Sequence, residues 1–248
     1  MKKGPLDHPR ARAVGGTWGR LVPLAVLAAA VVAPAGGAWA ASGPAPATGG
    51  TLANVPVPAA MAQACAATSG PVCQDAVVGA IDRARAREGV RPMVLPTGFD
   101  HLSAVAQLLV LADLERTDRG LPGFPGLSSA LDHAAAVAAS RAADPVGPPG
   151  TTWGANMAVG YPTALQADYA WMYDDGPGSP NLACSAAHPA GCWGHRRNIL
   201  GDYGPDPSMG AAVRVNGPAG TGYVTMTQLF VGQPAGPLAL RLPSLRRG

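Results

Sequence analysis

The spacing of apolar residues predicts helices through the middle of the chain. The first convincing helix covers residues 104–119, where Ser103 can cap the start and apolar side chains recur at helical spacing. In its last turns Glu115 and Arg119 lie four residues apart, a spacing that favours an ion pair. A weaker helix is predicted over residues 75–88. The arginines that indicate a solvent-exposed face on it are Arg83, Arg85 and Arg87.

Capping motifs mark the N-termini of two further helices. Ser129 and Asp132 are spaced as a capping box at the start of a helix over residues 130–143. Thr163 has a glutamine three positions later and begins a helix over residues 164–174 in the same way. Both helices are followed by proline or glycine, which ends them.

The C-terminal part of the chain has the composition of strands. Residues 209–216 and 223–231 are rich in apolar and β-branched side chains, and a glycine-containing loop joins them, which predicts a hairpin. Residues 153–160 are predicted to be short and extended, and residues 195–200 to form one or two helical turns. Helices first and a hairpin last predict an α+β domain with helices layered on a sheet.

The two ends of the chain differ in composition from this centre. Residues 1–40 combine basic residues, an apolar run and Ala-Trp-Ala, which predicts a secretory signal cleaved before residue 41. A retained membrane anchor is the alternative, although proline and glycine interrupt the run. Residues 41–60 are predicted to be a disordered Ala/Pro-rich linker, and residues 61–102 a helical extension. The main domain covers residues 103–231, and residues 232–248 form a predicted flexible tail.

Removal of the signal would change the charge of the protein. The full chain has 18 Lys and Arg against 15 Asp and Glu, and residues 1–40 hold five of the basic and one of the acidic residues. The remainder therefore carries 13 basic and 14 acidic residues and is nearly neutral. With this balance, no basic face indicates nucleic acid or anionic lipid as a partner. No stretch after the signal is long enough to insert stably in a membrane.

Four cysteines behind a predicted signal indicate two disulfides. Cys65 and Cys73 have the same separation as Cys184 and Cys192, so two local bridges are the simplest of the three pairings. The alternative is a Cys₂His₂ zinc site in the second pair, because His188 and His195 lie close to it in sequence. Such a site needs thiolates, which an oxidising compartment disfavours.

Residues 191–200 hold a Cys, a Trp, a His, two Arg and an Asn, and chemistry is scarce elsewhere. His195 is the central candidate, since a neutral imidazole acts near pH 7 as a general base or metal ligand. The alternative is a structural histidine in a turn beside a disulfide. The chain lacks the motifs of serine-nucleophile elbows, zinc proteases, phosphate loops and dinucleotide sites. A second His or a carboxylate within about 4–6 Å of His195 would favour acid–base or metal chemistry.

Six segments in order resemble the secreted CAP superfamily, which includes cysteine-rich secretory proteins, venom antigens and plant pathogenesis-related proteins. They are LADLERTDRGLPGF, WGANMAVG, ALQADYAWMYDDG, GCWGHRRNIL, MGAAV and GYVTMTQLF, within residues 111–230. The G-H-R-x-N-I-L pattern of bacterial members is matched throughout residues 194–200. The resemblance covers about residues 103–231 and implies a three-layer α-β-α sandwich.

The same resemblance implies a cleft lined by two histidines and two acidic residues that can hold a divalent metal. His195 matches one of those histidines. Ala155 replaces the acid of the Gly-Glu-Asn motif, and the other histidine has no counterpart between residues 143 and 153. Asp174 is the loosely matching candidate for the second acid, and Asn156 is a candidate cleft residue. No cofactor is therefore expected, with a divalent metal as the alternative.

These departures favour a non-catalytic function. The resemblance implies an exported bacterial binding module for a small apolar molecule, such as a sterol or fatty acid, or for a cell-envelope partner. One alternative is an extracellular hydrolase that uses His195 with a nearby aspartate and a metal. Another is a structural module of the cell wall.

Overall fold

The computed structural model describes residues 53–217 and 222–242. The predicted signal, most of the predicted linker and the last six residues of the predicted tail lie outside these ranges. Within them, no helix is both long enough and apolar enough to cross a membrane.

The described part of the chain contains six α-helices and five strands. The helices are α1 (Ala59–Cys65), α2 (Pro71–Arg87), α3 (Ala104–Thr117), α4 (Ser129–Ser140), α5 (Ala164–Met172) and α6 (Gly194–Ile199). The strands are β1 (Gly126–Ser128), β2 (Trp153–Val159), β3 (Ser208–Asn216), β4 (Tyr223–Val231) and β5 (Leu238–Arg241). The prediction of a mixed α+β protein is confirmed.

The five strands form one mixed sheet in the order β2-β4-β3-β1-β5. The three strands predicted from sequence, β2, β3 and β4, pair antiparallel as its long part. Short β1 runs parallel to β3 and antiparallel to β5. Part of the predicted flexible tail is therefore an edge strand. The prediction missed it because β5 pairs with β1, which lies more than a hundred residues earlier in the sequence.

Helices cover both faces of the sheet, an arrangement compatible with an α-β-α sandwich. On one face α4 packs against alternate residues of β3 and β4, and Thr227 Oγ1 donates to the Ala135 carbonyl at 3.0 Å. Gly210 permits this contact, because a Cβ there would lie 2.3 Å from the Leu131 carbonyl carbon. The other face packs against α3, with Met209, Ala211 and Phe230 in the main hydrophobic core.

The predicted helix caps agree with the structure where the contact is local. Ser103 Oγ accepts a hydrogen bond from the Ala106 N–H, and Thr163 Oγ1 accepts one from the Gln166 N–H. The capping box predicted at Ser129 and Asp132 is wrong. Asp132 Oδ1 instead accepts the Ala211 N–H at 2.9 Å and so ties α4 to β3.

Arg85 corrects the prediction of a fully solvated face on α2. Its side chain is completely buried, and its Nη2 donates to Asp118 Oδ2 at 2.5 Å. Arg83 and Arg87 are exposed, as predicted. Since Asp118 follows α3, the pair joins two helices that lie far apart in the sequence.

Both local disulfides are present, Cys65–Cys73 and Cys184–Cys192. The first joins the end of α1 to α2, and the second closes the long loop between α5 and α6. Residues at the end of the predicted linker lie against the domain. There the Asn54 side chain hydrogen-bonds Asp174 at 2.6 Å and the Gly176 N–H at 2.8 Å.

Candidate functional site

The chain turns sharply before His195. Trp193 has a left-handed backbone (φ 62°), and its N–H donates to the Asp175 carbonyl at 2.7 Å. Helix α6 then begins at Gly194, which places His195 in the first turn. The backbone N–H groups of His195 and Arg196 donate to Asp175 Oδ2 at 2.9 and 3.3 Å. The Asp175 carboxylate thus satisfies helix donors that otherwise lack partners.

The imidazole of His195 also contacts this carboxylate. Nδ1 lies 2.7 Å from Asp175 Oδ1, and the side chains are 22% and 0% exposed respectively. Asn181 Nδ2 donates to the same oxygen at 2.5 Å, so four donors meet the two oxygens of Asp175. A carboxylate accepts about four hydrogen bonds, so Asp175 is saturated as an acceptor.

The contact with this carboxylate sets the tautomer of His195. An ionised carboxylate only accepts hydrogen bonds, so His195 Nδ1 carries the proton of the neutral ring. The lone pair then resides on Nε2, for which no hydrogen-bond partner is found among the described residues. The site is therefore an oriented, partly exposed imidazole whose Nε2 has no hydrogen-bond partner in the described part of the chain.

Two other side chains approach the ring. The Trp171 and His195 ring centroids are 6.5 Å apart. Asp144, in the loop after α4, lies close enough for its carboxyl to interact electrostatically with His195. Asp144 is exposed, but partial desolvation still raises the pKa of its carboxyl. Interaction with His195 lowers the same pKa and so opposes that rise. A second carboxyl therefore interacts electrostatically with the imidazole.

Two asparagines hold α6 against β2. Asn156 is fully buried, and its Nδ2 donates to the His195 carbonyl at 3.2 Å. Asn198 Nδ2 donates to the Ala155 carbonyl at 2.6 Å and to Asn156 Oδ1 at 3.1 Å. Asn156, predicted as a cleft residue, is therefore an interior anchor that positions the backbone of His195.

The carboxylate in contact with His195 belongs to Asp175 and not to Asp174, the candidate predicted from the sequence. Asp174 points the other way and accepts from Asn54. Both carboxylates are buried, in contrast to the solvated turn that adjacent aspartates at a helix end usually indicate. The sequence signal for Asp175 was weak because the partner lies twenty residues away across a Gly/Pro-rich loop.

The cysteines of the alternative zinc site are bonded to each other, so neither is a thiolate. In the described ranges, no three His, Cys, Asp or Glu side chains are grouped so as to hold a metal ion.

A cleft of about 950 Å³ lies elsewhere on the domain. Apolar side chains, among them Val94, Leu95 and Phe124, line it together with Arg91 and Arg241. His195 and Asp175 do not line this cleft. The cleft and the His195 site are therefore separate features of the domain.

The interior contains a second polar cluster, around Asp168 of α5. Asp168 is buried, and neither of its carboxyl oxygens accepts a hydrogen bond from the described residues. Desolvation raises the pKa of this carboxyl well above its ordinary value, and the neighbouring Glu115 raises it further. The guanidinium groups of Arg85 and Arg119 act in the opposite direction. Burial and the neighbouring Glu115 therefore favour the protonated form of Asp168.

Comparison of the chain with models of protein families, with curated proteins and with solved structures found no match. The resemblance to the CAP superfamily accordingly rests on the motifs in the sequence.

Proposed function

We propose that the protein is an exported CAP-type hydrolase in which His195 Nε2 is the general base and Asp175 orients and stabilises the imidazole. The observation that supports this most is the 2.7 Å contact between His195 Nδ1 and a fully buried carboxylate. Two disulfides are consistent with an extracellular location. The order of the six motifs supports the CAP assignment.

The chemistry follows from the tautomer. His195 Nε2 removes a proton from a water molecule as the water oxygen attacks the electrophilic atom of the substrate. The imidazolium forms against Asp175, whose negative charge stabilises it. Nε2 then returns the proton to the leaving group, so the imidazole ends neutral and one water is consumed. Asn156 keeps the backbone of α6 in register with β2 during these transfers.

A panel of chromogenic esters, amides, glycosides and phosphate esters tests the proposal. The wild-type protein should cleave at least one class, and His195→Gln should lose about 100-fold or more of that rate, as expected for removal of a general base. His101→Gln is the matched control, because His101 is 85% exposed and distant in sequence from the site. Equal rates for wild type and His195→Gln, or no cleavage of any class, would count against hydrolysis.

The second candidate function is binding of a small apolar molecule in the 950 Å³ cleft, which the apolar side chains in its mixed apolar and charged lining favour. Titration with a fluorescent fatty-acid analogue and a fluorescent sterol would test it. Val94→Arg, at an exposed position of the cleft, should weaken binding about tenfold, or about 1.4 kcal/mol. Val146→Arg, equally exposed but outside the cleft, should have no effect.

A further inference from the structure

Asn181 lies in the loop between α5 and α6, and its side chain reaches the candidate site without touching His195. Its Nδ2 donates to Asp175 Oδ1 at 2.5 Å, the oxygen that also receives His195 Nδ1 at 2.7 Å. Two donors therefore share one acceptor atom. A change in the Asn181–Asp175 bond therefore changes the electron density that Asp175 Oδ1 can offer to His195 Nδ1.

The orientation of the Asn181 amide follows from its neighbours. Its Oδ1 accepts the Ala183 N–H at 2.9 Å, a group that can only donate. Its Nδ2 faces a carboxylate that can only accept. A flipped amide would oppose like groups at both ends, so only this orientation satisfies both partners.

The loop holds Asn181 in this place by several bonds. The Asn181 carbonyl accepts the Cys184 N–H at 3.0 Å, and Nδ2 also reaches the Gly191 carbonyl at 3.4 Å. The Cys184–Cys192 disulfide closes the two arms of the loop around these contacts. At Gly191 the arms approach so closely that a Cβ would lie 1.7 Å from the Ala183 carbonyl oxygen.

We propose that Asn181 is a positioning residue that holds Asp175 Oδ1 and limits how strongly this oxygen binds His195 Nδ1. The proposal deepens the proposed function, since it assigns a residue that tunes the same base. Among the described residues, Asp175 at the end of α5 contacts the ring, and Asp144 in the loop after α4 interacts with it electrostatically. Among the described side chains that contact Asp175, Asn181 is a donor that carries no charge and does not titrate. Its hydrogen bond can therefore weaken the pull of the Asp175 carboxylate on His195 Nδ1.

The experiment measures the proton NMR shift of His195 Hδ1 in the intact, oxidised protein. Asn181→Leu keeps the size of the side chain and removes its donor, so the Asp175–His195 bond should strengthen and Hδ1 should move downfield. Asn181→Ala removes the same donor with a smaller side chain and should shift Hδ1 in the same direction. Ser179→Ala is the loop control, because Ser179 Oγ accepts the Asn181 N–H at 3.3 Å and has no contact with Asp175.

Downfield shifts in both Asn181 variants with no shift in Ser179→Ala would support the proposal. An unchanged Hδ1 in both Asn181 variants would overturn it, as would an equal shift in Ser179→Ala, which would indicate a general effect of the loop. The measurement needs no substrate. Its failure is therefore distinguishable from failure of the hydrolysis panel, and either can occur without the other.

Discussion

Arg196 and Glu88 form an ion pair with two parallel bonds, Nη1 to Oε1 at 3.0 Å and Nη2 to Oε2 at 2.7 Å. Arg196 follows His195 in α6, and Glu88 is the residue at the C-terminal cap of α2. Arg196 Nη1 also donates to the Met172 carbonyl at 2.7 Å. One guanidinium therefore ties the helix that carries His195 to α2 and to the end of α5.

Glu88→Gln should destabilise the fold by about 3 kcal/mol at pH 7, because it leaves the buried Arg196 without its counter-charge. Urea unfolding followed by circular dichroism would measure this. Asp100→Asn, at an exposed carboxylate, should change the free energy of unfolding by less than about 1 kcal/mol. Equal effects of the two substitutions would contradict the role assigned to the Glu88 pair.

The same variant should change how stability depends on acid. Desolvation acts to raise the pKa of the Glu88 carboxyl, but Arg196 and Arg119 together lower it below its ordinary value. A lowered native pKa stabilises the fold above the unfolded pKa of about 4.3, and this stabilisation is lost as pH falls through the native pKa. The wild type should therefore lose its advantage over Glu88→Gln below about pH 4. A constant difference between the two down to pH 2 would contradict this expectation.

The stability of Asp168→Asn relative to the wild type should increase as pH rises. The native pKa of Asp168 is raised, so the native state retains a proton that the unfolded chain loses above about pH 3.9. Stability of the wild type is thereby lost as pH increases toward the native pKa, whereas asparagine does not titrate. Unfolding free energies between pH 4 and 8 would measure a gap in favour of the variant that widens with pH. A gap independent of pH would contradict a raised native pKa for Asp168.

Gly210→Ala should destabilise the protein by about 1–3 kcal/mol, because its Cβ would collide with the backbone of Leu131 in α4. Gly79→Ala is the matched control. Gly79 lies inside α2, where a Cβ would have only the Arg83 side chain within reach, at 3.4 Å. That substitution should stabilise the helix by about 0.5–1 kcal/mol. Thermal unfolding of both variants would test the close packing of α4 on β3.

Predictions from sequence succeeded where a residue's partner is nearby in the chain. Ser103 and Thr163 cap the helices they precede because the acceptor and the N–H lie three residues apart. The predictions failed for Asp132 and Arg85, whose partners belong to other elements. Apolar and polar periodicity does not indicate which distant group a buried charge will meet.

The candidate site divides in the same way. The motif around His195 could be singled out from the sequence, because its unusual composition is a local property. The sequence named Asp174 as the candidate acid, whereas Asp175 contacts His195 in the structure, because only the path of the chain decides which of the two turns toward α6. Asn181 had no signal, because a loop asparagine is ordinarily a turn residue. Strand β5 had no sequence signal either, because its four residues are too few to show periodicity and lie in a proline-containing segment.

The tautomer of His195 is the most direct test of the central claim that Asp175 leaves Nε2 as a free base. Long-range ¹H–¹⁵N NMR of the imidazole above the titration range of the ring would determine it, with His195→Gln used to assign the signals. The structure predicts a proton on Nδ1 and an unprotonated Nε2. A proton on Nε2, with Nδ1 bare, would contradict the assignment of Asp175 as the orienting acceptor and of His195 as the base.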